Sequence, residues 1–321
     1  MRYPVHSDPI RNLAGILMLA IGFALTGCAS GPGRERVAAE PEAQTAAVTA
    51  PASPAAPKPE PEITETITKP AKPVPRPKAA AACKVKPDAV QWVHVSGECR
   101  DGYAHGPGVA RSAKGKRRYE GLFADGHFHG DGNYDWGAGV RYSGQFRMSR
   151  KEGSGTLTYA NGSRYTGEFQ DNGYHGRGSY QSADGARYNG EFAHGQYHGS
   201  GSYVWPNGDS YTGQFRDGKM AGRGTYTKGN GDRYDGEFEN DAMHGEGVYS
   251  WSNGDTYTGQ FRNGKMNGTG TYRHVDGSIY IGEFRDDQKH GHGRLTTDAG
   301  EIAQQWQRGV KVSSGDSPVS R

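Results

Sequence analysis

Aromatic residues and glycines alternate with polar residues through most of the chain. The phrase Tyr-x-Gly-x-Phe begins at Tyr119 and recurs every 23 residues, eight times in all, with its last copy at Tyr280. Within each phrase the Tyr, Gly and Phe stand at positions i, i+2 and i+4, which places all three on one face of a β-strand. Repetition at this interval predicts an array of stacked units rather than one globular core.

The rest of each unit predicts a hairpin. The phrase is followed by a turn, a Gly-x-Gly sequence, a second alternating stretch and a second turn. Many turns read Asp-Gly or Asn-Gly, such as Asp217-Gly218 and Asn207-Gly208, which supply the positive φ that tight hairpin turns require. The 51 glycines disfavour helices, because each interior Gly costs roughly 1 kcal/mol relative to Ala. We therefore predict two short antiparallel strands per unit, joined in a meander.

Aliphatic residues are too scarce for two packed sheets. The chain is 33% hydrophobic, with much of that in Tyr and Ala, whereas a β-sandwich needs alternating Val, Ile and Leu on both inner faces. We predict an all-β fold in which one single-layered, elongated antiparallel sheet has a column of Tyr, Phe and Trp as its core. Aromatic rings would lie across bare glycine backbone on that face, for example at Gly167, Gly190, Gly213 and Gly236.

The unit resembles the MORN (membrane occupation and recognition nexus) repeat family. The resemblance rests on Tyr-x-Gly-x-Phe, the turn glycine and a second half that reads His-Gly-Ser-Gly at 198–201. An earlier, degenerate copy begins at Val95 and has Cys99 in the Phe position, and Trp306 is expected to cover the open end after the last unit. The resemblance implies a slightly twisted single-layered sheet that serves in protein contact, lipid contact or dimerisation.

Residues 1–27 have the features of a bacterial lipoprotein signal peptide. Two arginines precede an apolar run from Leu13 to Leu25, which is shorter than the ~20 residues of a permanent spanning helix. The run leads into Leu-Thr-Gly-Cys, which resembles a lipobox and predicts lipidation of Cys28; an uncleaved anchor and an ordinary signal peptide are the alternatives. By resemblance to bacterial lipoproteins, Ala29 after the cysteine predicts an outer-membrane anchor that faces the periplasm.

The remaining boundaries follow from composition. Residues 28–82 contain 11 of the 17 prolines and no aromatic residue, so this linker cannot bury enough apolar surface to fold. Residues 83–310 are assigned to the repeat sheet and 311–321 to a disordered tail. We predict a disulfide between Cys83 and Cys99, because the periplasm oxidises thiols; the alternative is that Cys99 merely replaces an apolar Phe.

No group of residues predicts catalysis, a cofactor or a metal site. The recurring histidines, such as His175 and His198, occupy equivalent places about 9.6 Å apart in adjacent units, and a zinc ion needs its nitrogens at ~2.0–2.1 Å. The Glu and Gln residues between Gly and Phe, such as Glu191 and Gln214, are interpreted as a solvated face on which the alternation relieves like-charge repulsion. We expect no enzymatic activity.

Charge and aromatic content define the expected partners. The net charge is +3; the signal peptide and the linker account for +1 each, which leaves +1 for residues 83–321. Such a sheet lacks the basic footprint of nucleic-acid binding and of anionic-lipid binding, so membrane attachment is assigned to Cys28. Exposed aromatic stripes mark interaction surfaces. The predicted binding face consists of Tyr142, Tyr165, Tyr188, Tyr211, Tyr234, Tyr257 and Tyr280.

The leading hypothesis is a membrane-tethered scaffold or interaction module of the cell envelope that binds a protein partner. Two alternatives stay open. One is a module that contacts peptidoglycan or another glycan, and the other is a structural rod that associates with itself as a homodimer.

Overall fold

The computed structural model describes residues 83–86 and 90–315. The predicted signal peptide, Cys28 and nearly all of the linker lie outside the described residues. The described part forms one antiparallel sheet of twenty strands, and each strand pairs with its neighbours in chain order. Within these ranges no helix is long and apolar enough to span a membrane. The predicted all-β, single-sheet meander is confirmed.

In each full repeat, a strand that carries the Tyr-x-Gly-x-Phe phrase is followed by a longer second strand. Their bounds are β1 Trp92–Arg100, β2 Tyr103–Ser112, β3 Arg118–Ala124, β4 His127–Gly137, β5 Val140–Arg147, β6 Arg150–Thr158, β7 Arg164–Gln170, β8 Gly173–Gln181, β9 Arg187–Ala193, β10 Gln196–Val204, β11 Ser210–Arg216, β12 Lys219–Thr227, β13 Arg233–Glu239, β14 Ala242–Ser250, β15 Thr256–Arg262, β16 Lys265–Arg273, β17 Ile279–Arg285, β18 Gln288–Thr297, β19 Gly300–Gln307 and β20 Val310–Gly315.

In five hairpins a Glu or Gln side chain accepts a backbone N–H in the bulge. In the β7–β8 pair, Gly167 lies opposite Gly178 while Glu168 lies opposite His175, so the second strand carries extra residues between these pairs. Glu168 Oε1 accepts the N–H of Arg177 in the bulge, with 3.0 Å between the two atoms. Glu and Gln both offer an Oε1 acceptor, which explains why they interchange at this position. Glu168 and Glu191 lie at exposed positions, as the solvated-face interpretation expects, and they also stabilise a bulge, a role that the interpretation did not include.

The two turns of a unit differ. At the first turn both central residues have positive φ, as predicted, for example Asp217 (φ 51°) and Gly218 (φ 81°). The Gly218 N–H also donates to the carbonyl of Tyr197 in the preceding unit, at 2.9 Å. At the second turn between β10 and β11 only Gly208 is left-handed, and the preceding Asn207 instead accepts the N–H of Asp209 at 3.1 Å. The first turn therefore also links neighbouring units.

Tyrosine and phenylalanine rings form the core. Tyr211 is fully buried, and its ring lies so close to the glycine backbone that a Cβ at Gly224 would stand 2.5 Å from the ring. Phe215 of the same strand and Phe238 of the next unit approach the Tyr211 ring edge-on, with centroids 5.0 Å away in each case. This edge-to-face order recurs along the sheet and continues at its end, where Trp306 lies edge-on to Tyr280 with centroids 6.3 Å apart.

Only the C-terminal end of the sheet extends beyond the predicted range 83–310. Cys83 and Cys99 form a disulfide with their Cα atoms 5.6 Å apart, which joins the segment 83–86 to β1. At the other end β20 pairs with β19. The sheet therefore runs past residue 310, and the assignment of 311–315 to a disordered tail is wrong because these residues supply a paired strand.

Candidate functional site

The tyrosines predicted as the binding face lie inside the sheet's core. Their exposed fraction is 0% in six of the seven and 1% in the other. In several units the residue nine positions after the tyrosine lies over its ring: Tyr174 stacks on Tyr165 with centroids 3.8 Å apart, and Tyr197 stacks on Tyr188 at 3.9 Å. The expectation that these rings face a partner is wrong, because they are buried. We call this place the covering position; it holds Phe128, Lys151, Tyr174, Tyr197, Met220, Met243, Met266 and Lys289.

Except for that of Tyr280, the hydroxyls of these tyrosines donate hydrogen bonds within the sheet. Tyr165 donates to the carbonyl of Glu168 at 2.7 Å and lies 3.3 Å from the carbonyl of His175. These carbonyls border the bulge, where the regular ladder is interrupted. Burial raises the pKa of Tyr165, so the phenol keeps its proton. The phrase tyrosine thus supplies the donor that the bulge lacks.

A different set of side chains is partly exposed on the same face. We name it the turn column: the residues seventeen positions after the first seven phrase tyrosines, at the end of the second strand. Every member is partly buried, and unlike the phrase tyrosine the position varies along the chain. The turn column consists of Trp136, Tyr159, Ser182, Trp205, Lys228, Trp251 and His274.

The two central tryptophans rest on tyrosines of two neighbouring units. Trp205 lies 4.6 Å from Tyr203 and 5.6 Å from Tyr226, measured between ring centroids. Trp251 lies 4.6 Å from Tyr249 and 5.1 Å from Tyr272. Because each indole is supported on both sides, its position is set before any partner arrives.

Carboxylates from the second turns hold the supporting tyrosines. Asp209 accepts the Tyr226 hydroxyl at 2.5 Å and the backbone N–H of Gly229 at 2.9 Å. Asp255 accepts the Tyr272 hydroxyl at 2.9 Å in the same way. Burial alone would raise the pKa of Asp209, but these hydrogen bonds outweigh it and hold that pKa below its usual value. The acids therefore orient the column and are occupied by the protein's own donors.

One unit replaces the indole by an ammonium group. Lys228 Nζ donates to the Tyr249 hydroxyl at 2.8 Å and to Asp232 at 3.3 Å. Burial alone would lower the pKa of Lys228, but the bond to Tyr249 and the pairing with Asp232 outweigh it and raise that pKa. Asp232 also accepts the N–H of Ser252 at 3.0 Å. The turn column thus offers aromatic faces with one cation between them.

The turn column was not predicted from the sequence, although a repeated sequence pattern marks part of it. The sequence Tyr-x-Trp occurs at Tyr134–Trp136, Tyr203–Trp205 and Tyr249–Trp251. Period two places both rings on one face, and the Trp stands nearer the turn. The recurring histidines lie elsewhere; the carbonyls of His175 and His198, for example, border the bulges next to a tyrosine hydroxyl.

The geometry defines a single-sheet protein built from repeated β-hairpins. The MORN repeat matches nine consecutive segments of the chain, about two thirds of its length, so the chain belongs to the MORN repeat family. The matched residues are 96–117, 119–141, 142–164, 165–187, 188–210, 211–233, 234–256, 257–279 and 280–301. Among curated proteins, none matches the chain.

Solved structures give only distant similarities. The TCP domain of SAS-4 from Drosophila melanogaster, in complex with a proline-rich motif of Ana2, is 13% identical, with 48% of this chain and 84% of that chain covered and a TM-score of 0.32. The TCP10 domain of CPAP from Danio rerio is 11% identical, with 65% and 96% covered and a TM-score of 0.24. Virginiamycin B lyase from Staphylococcus aureus is 7% identical, with 71% and 85% covered and a TM-score of 0.15. At these TM-scores the similarities carry no argument about function.

Proposed function

We propose that this MORN-repeat chain is a scaffold of the bacterial envelope, tethered through Cys28, which binds a protein partner along the turn column. The observation that carries the proposal is the contrast between a constant support and a variable surface. The buried phrase tyrosine recurs in all eight units, whereas the column changes from Trp to Tyr, Ser, Lys and His. Tryptophan and tyrosine dominate the binding energy of protein interfaces, and preorganised side chains lose little entropy on binding.

Partner capture tests the surface. Trp205→Ser combined with Trp251→Ser removes two indoles without changing the buried tyrosine column. The matched control is Asn189→Lys combined with Thr212→Lys, two exposed positions on the opposite face. After in-cell cross-linking and affinity purification, the tryptophan variant should lose at least about tenfold of the captured partner, since each indole anchor supplies on the order of 2 kcal/mol. If only the lysine variant loses the captured partner, the partner binds the face opposite the turn column.

The tether is tested separately. Cys28→Ser removes the thiol that a lipid would modify, and one acyl chain alone gives only marginal membrane binding. We expect the variant to be released from membranes or to remain as unprocessed precursor in fractionation experiments. A processed variant that stays fully in the membrane fraction would overturn the lipoprotein assignment.

Glycan contact is the second candidate. The specific observation in its favour is that the partly exposed indoles of Trp205 and Trp251 lie two units apart on one face, an arrangement that suits an extended chain of sugar rings. Sedimentation with purified peptidoglycan tests it. Co-sedimentation that disappears in the double tryptophan variant would favour glycan over protein as the ligand of the turn column.

A further inference from the structure

Three soft donor groups meet at the N-terminal end of the sheet. The sulfur atoms of Cys83 and Cys99 and an imidazole nitrogen of His94 all lie within 4.8 Å of one another. Cys83 is buried, with 6% of its surface exposed. In the described residues this is the one place where three such groups converge.

A register shift in β1 brings His94 and Cys99 to the same face. The two residues are five positions apart, so strict alternation would place them on opposite faces of the strand. His94 lies opposite Ala110 and Ser96 lies opposite Val109, which leaves Val95 as an extra residue and reverses the alternation. Cys99 then lies opposite Ala104, on the same side as His94.

The imidazole has a free nitrogen at this site. His94 Nε2 is shielded from solvent and has no hydrogen-bond partner within the described ranges. A buried polar atom without a partner costs free energy, and a ligand that accepts its lone pair removes that cost. Two thiolates and one imidazole form a donor set that zinc and other thiophilic cations prefer.

The backbone keeps the two cysteines together without the disulfide. The Lys84 N–H donates to the carbonyl of Gly102 at 2.9 Å, and the Ala104 N–H donates to the carbonyl of Lys84 at 3.0 Å. The Lys86 N–H donates to Gly126 at 2.8 Å. Because these bonds hold the segment 83–86 against β2, reduction of the sulfur–sulfur bond leaves Cys83 beside Cys99.

We propose that the reduced form of this end binds one thiophilic divalent cation through Cys83, Cys99 and His94, so that metal and disulfide are alternative links for the segment 83–86. An added dithiol reductant donates two electrons and two protons to the bond between Cys83 and Cys99. That bond breaks to give two thiols, and the reductant is oxidised to its own disulfide. The cation displaces both thiol protons and forms two metal–sulfur bonds and one bond to His94 Nε2. The fourth position of a tetrahedral site is left for water.

Cobalt(II) spectroscopy of the full-length chain tests the proposal, because thiolate ligation produces a charge-transfer absorption. After reduction with a dithiol and its removal, the chain should bind one equivalent of cobalt with this absorption, and zinc should displace it. The oxidised chain should show none. His94→Gln should weaken cobalt binding at least about tenfold, since one of three protein ligands is lost, whereas His175→Gln and Cys28→Ser should leave it unchanged.

Alkylation of the thiols gives a second readout that does not depend on the histidine variant. Zinc should slow the modification of Cys83 and Cys99 in the reduced chain, and mass spectrometry identifies the labelled residue. Equal cobalt affinity in His94→Gln, cobalt binding by the oxidised chain, or alkylation unaffected by zinc would each overturn the proposal.

Discussion

At the scale of single residues, the phrase tyrosine has three structural roles. In Tyr165, for example, the ring covers two glycines on neighbouring strands, and it forms edge-to-face contacts with the phenylalanines of two units. Its hydroxyl donates a hydrogen bond to a carbonyl at the bulge. Each role depends on a different part of the side chain. Substitutions can therefore separate them.

Removing one hydroxyl tests the third role. Tyr257 donates to the carbonyl of Gln260 at 3.1 Å, while the Tyr280 hydroxyl has no hydrogen-bond partner in the described part of the chain. Tyr257→Phe should lower the free energy of unfolding by about 1–2 kcal/mol, because a buried carbonyl loses its donor. Tyr280→Phe, in the adjacent unit, is the matched control and should cost less than about 0.5 kcal/mol. Equal losses in urea melts would show that the hydroxyl bond is not the source of stability.

Lys151 lies over Tyr142, at a position where three other units have methionine. Its Nζ lies 5.5 Å from the Trp136 ring centroid and 5.9 Å from that of Tyr142, and no carboxylate of the described residues pairs with it. Burial lowers the pKa of Lys151 to about 8. Lys151→Met should raise the free energy of unfolding by about 1–3 kcal/mol at pH 7, because a charged amine is costly in an apolar setting.

The gain should depend on pH in a defined direction. Between about pH 8 and 10.5, the pKa of a lysine that is not buried, the unfolded chain holds a proton on Lys151 that the folded chain has released. The stability of the parent chain therefore rises with pH in this window, and the advantage of the methionine variant shrinks. Lys219→Met, at an exposed position, is the control without such a trend. A constant advantage from pH 7 to pH 10 would contradict the buried-lysine account.

At the scale of elements, the unit is a hairpin whose bulge is stabilised from the opposite face. Glu191 Oε1 accepts the Ser200 N–H at 3.1 Å, as Glu168 does in the preceding unit for Arg177. Glu191→Gln should leave the melting temperature nearly unchanged, because the acceptor oxygen remains. Glu191→Ala should cost about 1 kcal/mol, since the bulge amide loses its acceptor. If thermal melts show the same loss for both variants, the charge and not the acceptor stabilises the hairpin.

The period of the sequence was sufficient to predict the sheet but not its exposed surface. Tyr, Gly and Phe at alternate positions determine strand, face and pairing, and Trp306 could be assigned to the end of the column. The rings were expected in the core, but the complete burial of Tyr165 could not be derived in this way, because it depends on Tyr174, which stacks on it from the adjacent strand. The covering position holds Phe, Lys, Tyr or Met, so its role is not visible as a repeated residue type. The turn column was missed for the same reason.

At the scale of the whole molecule, stability is shared between neighbouring units. From Phe146 onward, each phrase phenylalanine contacts the tyrosines of its own unit and of the unit before it: Phe215 lies 5.0 Å from Tyr211 and 5.2 Å from Tyr188. Contacts beyond adjacent units are not needed to build such an array. Stability should therefore be distributed as in a one-dimensional stack.

Deletion of one ring at two places tests this distribution. Phe215 and Phe284 are equally buried, with 4% of each exposed, but Phe284 lies near the end of the array. Phe215→Ala should cost about 3–5 kcal/mol. Phe284→Ala should cost less, because the last units can unfold without the centre. Equal destabilisation in denaturant melts would count against a linear stack.

We expect the partner to bind the turn column and not the opposite face of the sheet. Photo-crosslinking in living cells tests it most directly, with benzoylphenylalanine placed either at Ser182, a partly buried column position, or at Asn189, an exposed position on the opposite face. Both sites lie in the middle of the array, and neither belongs to the tyrosine core. We expect a discrete adduct with a second protein from position 182 and none from position 189. An adduct from position 189 alone would contradict it.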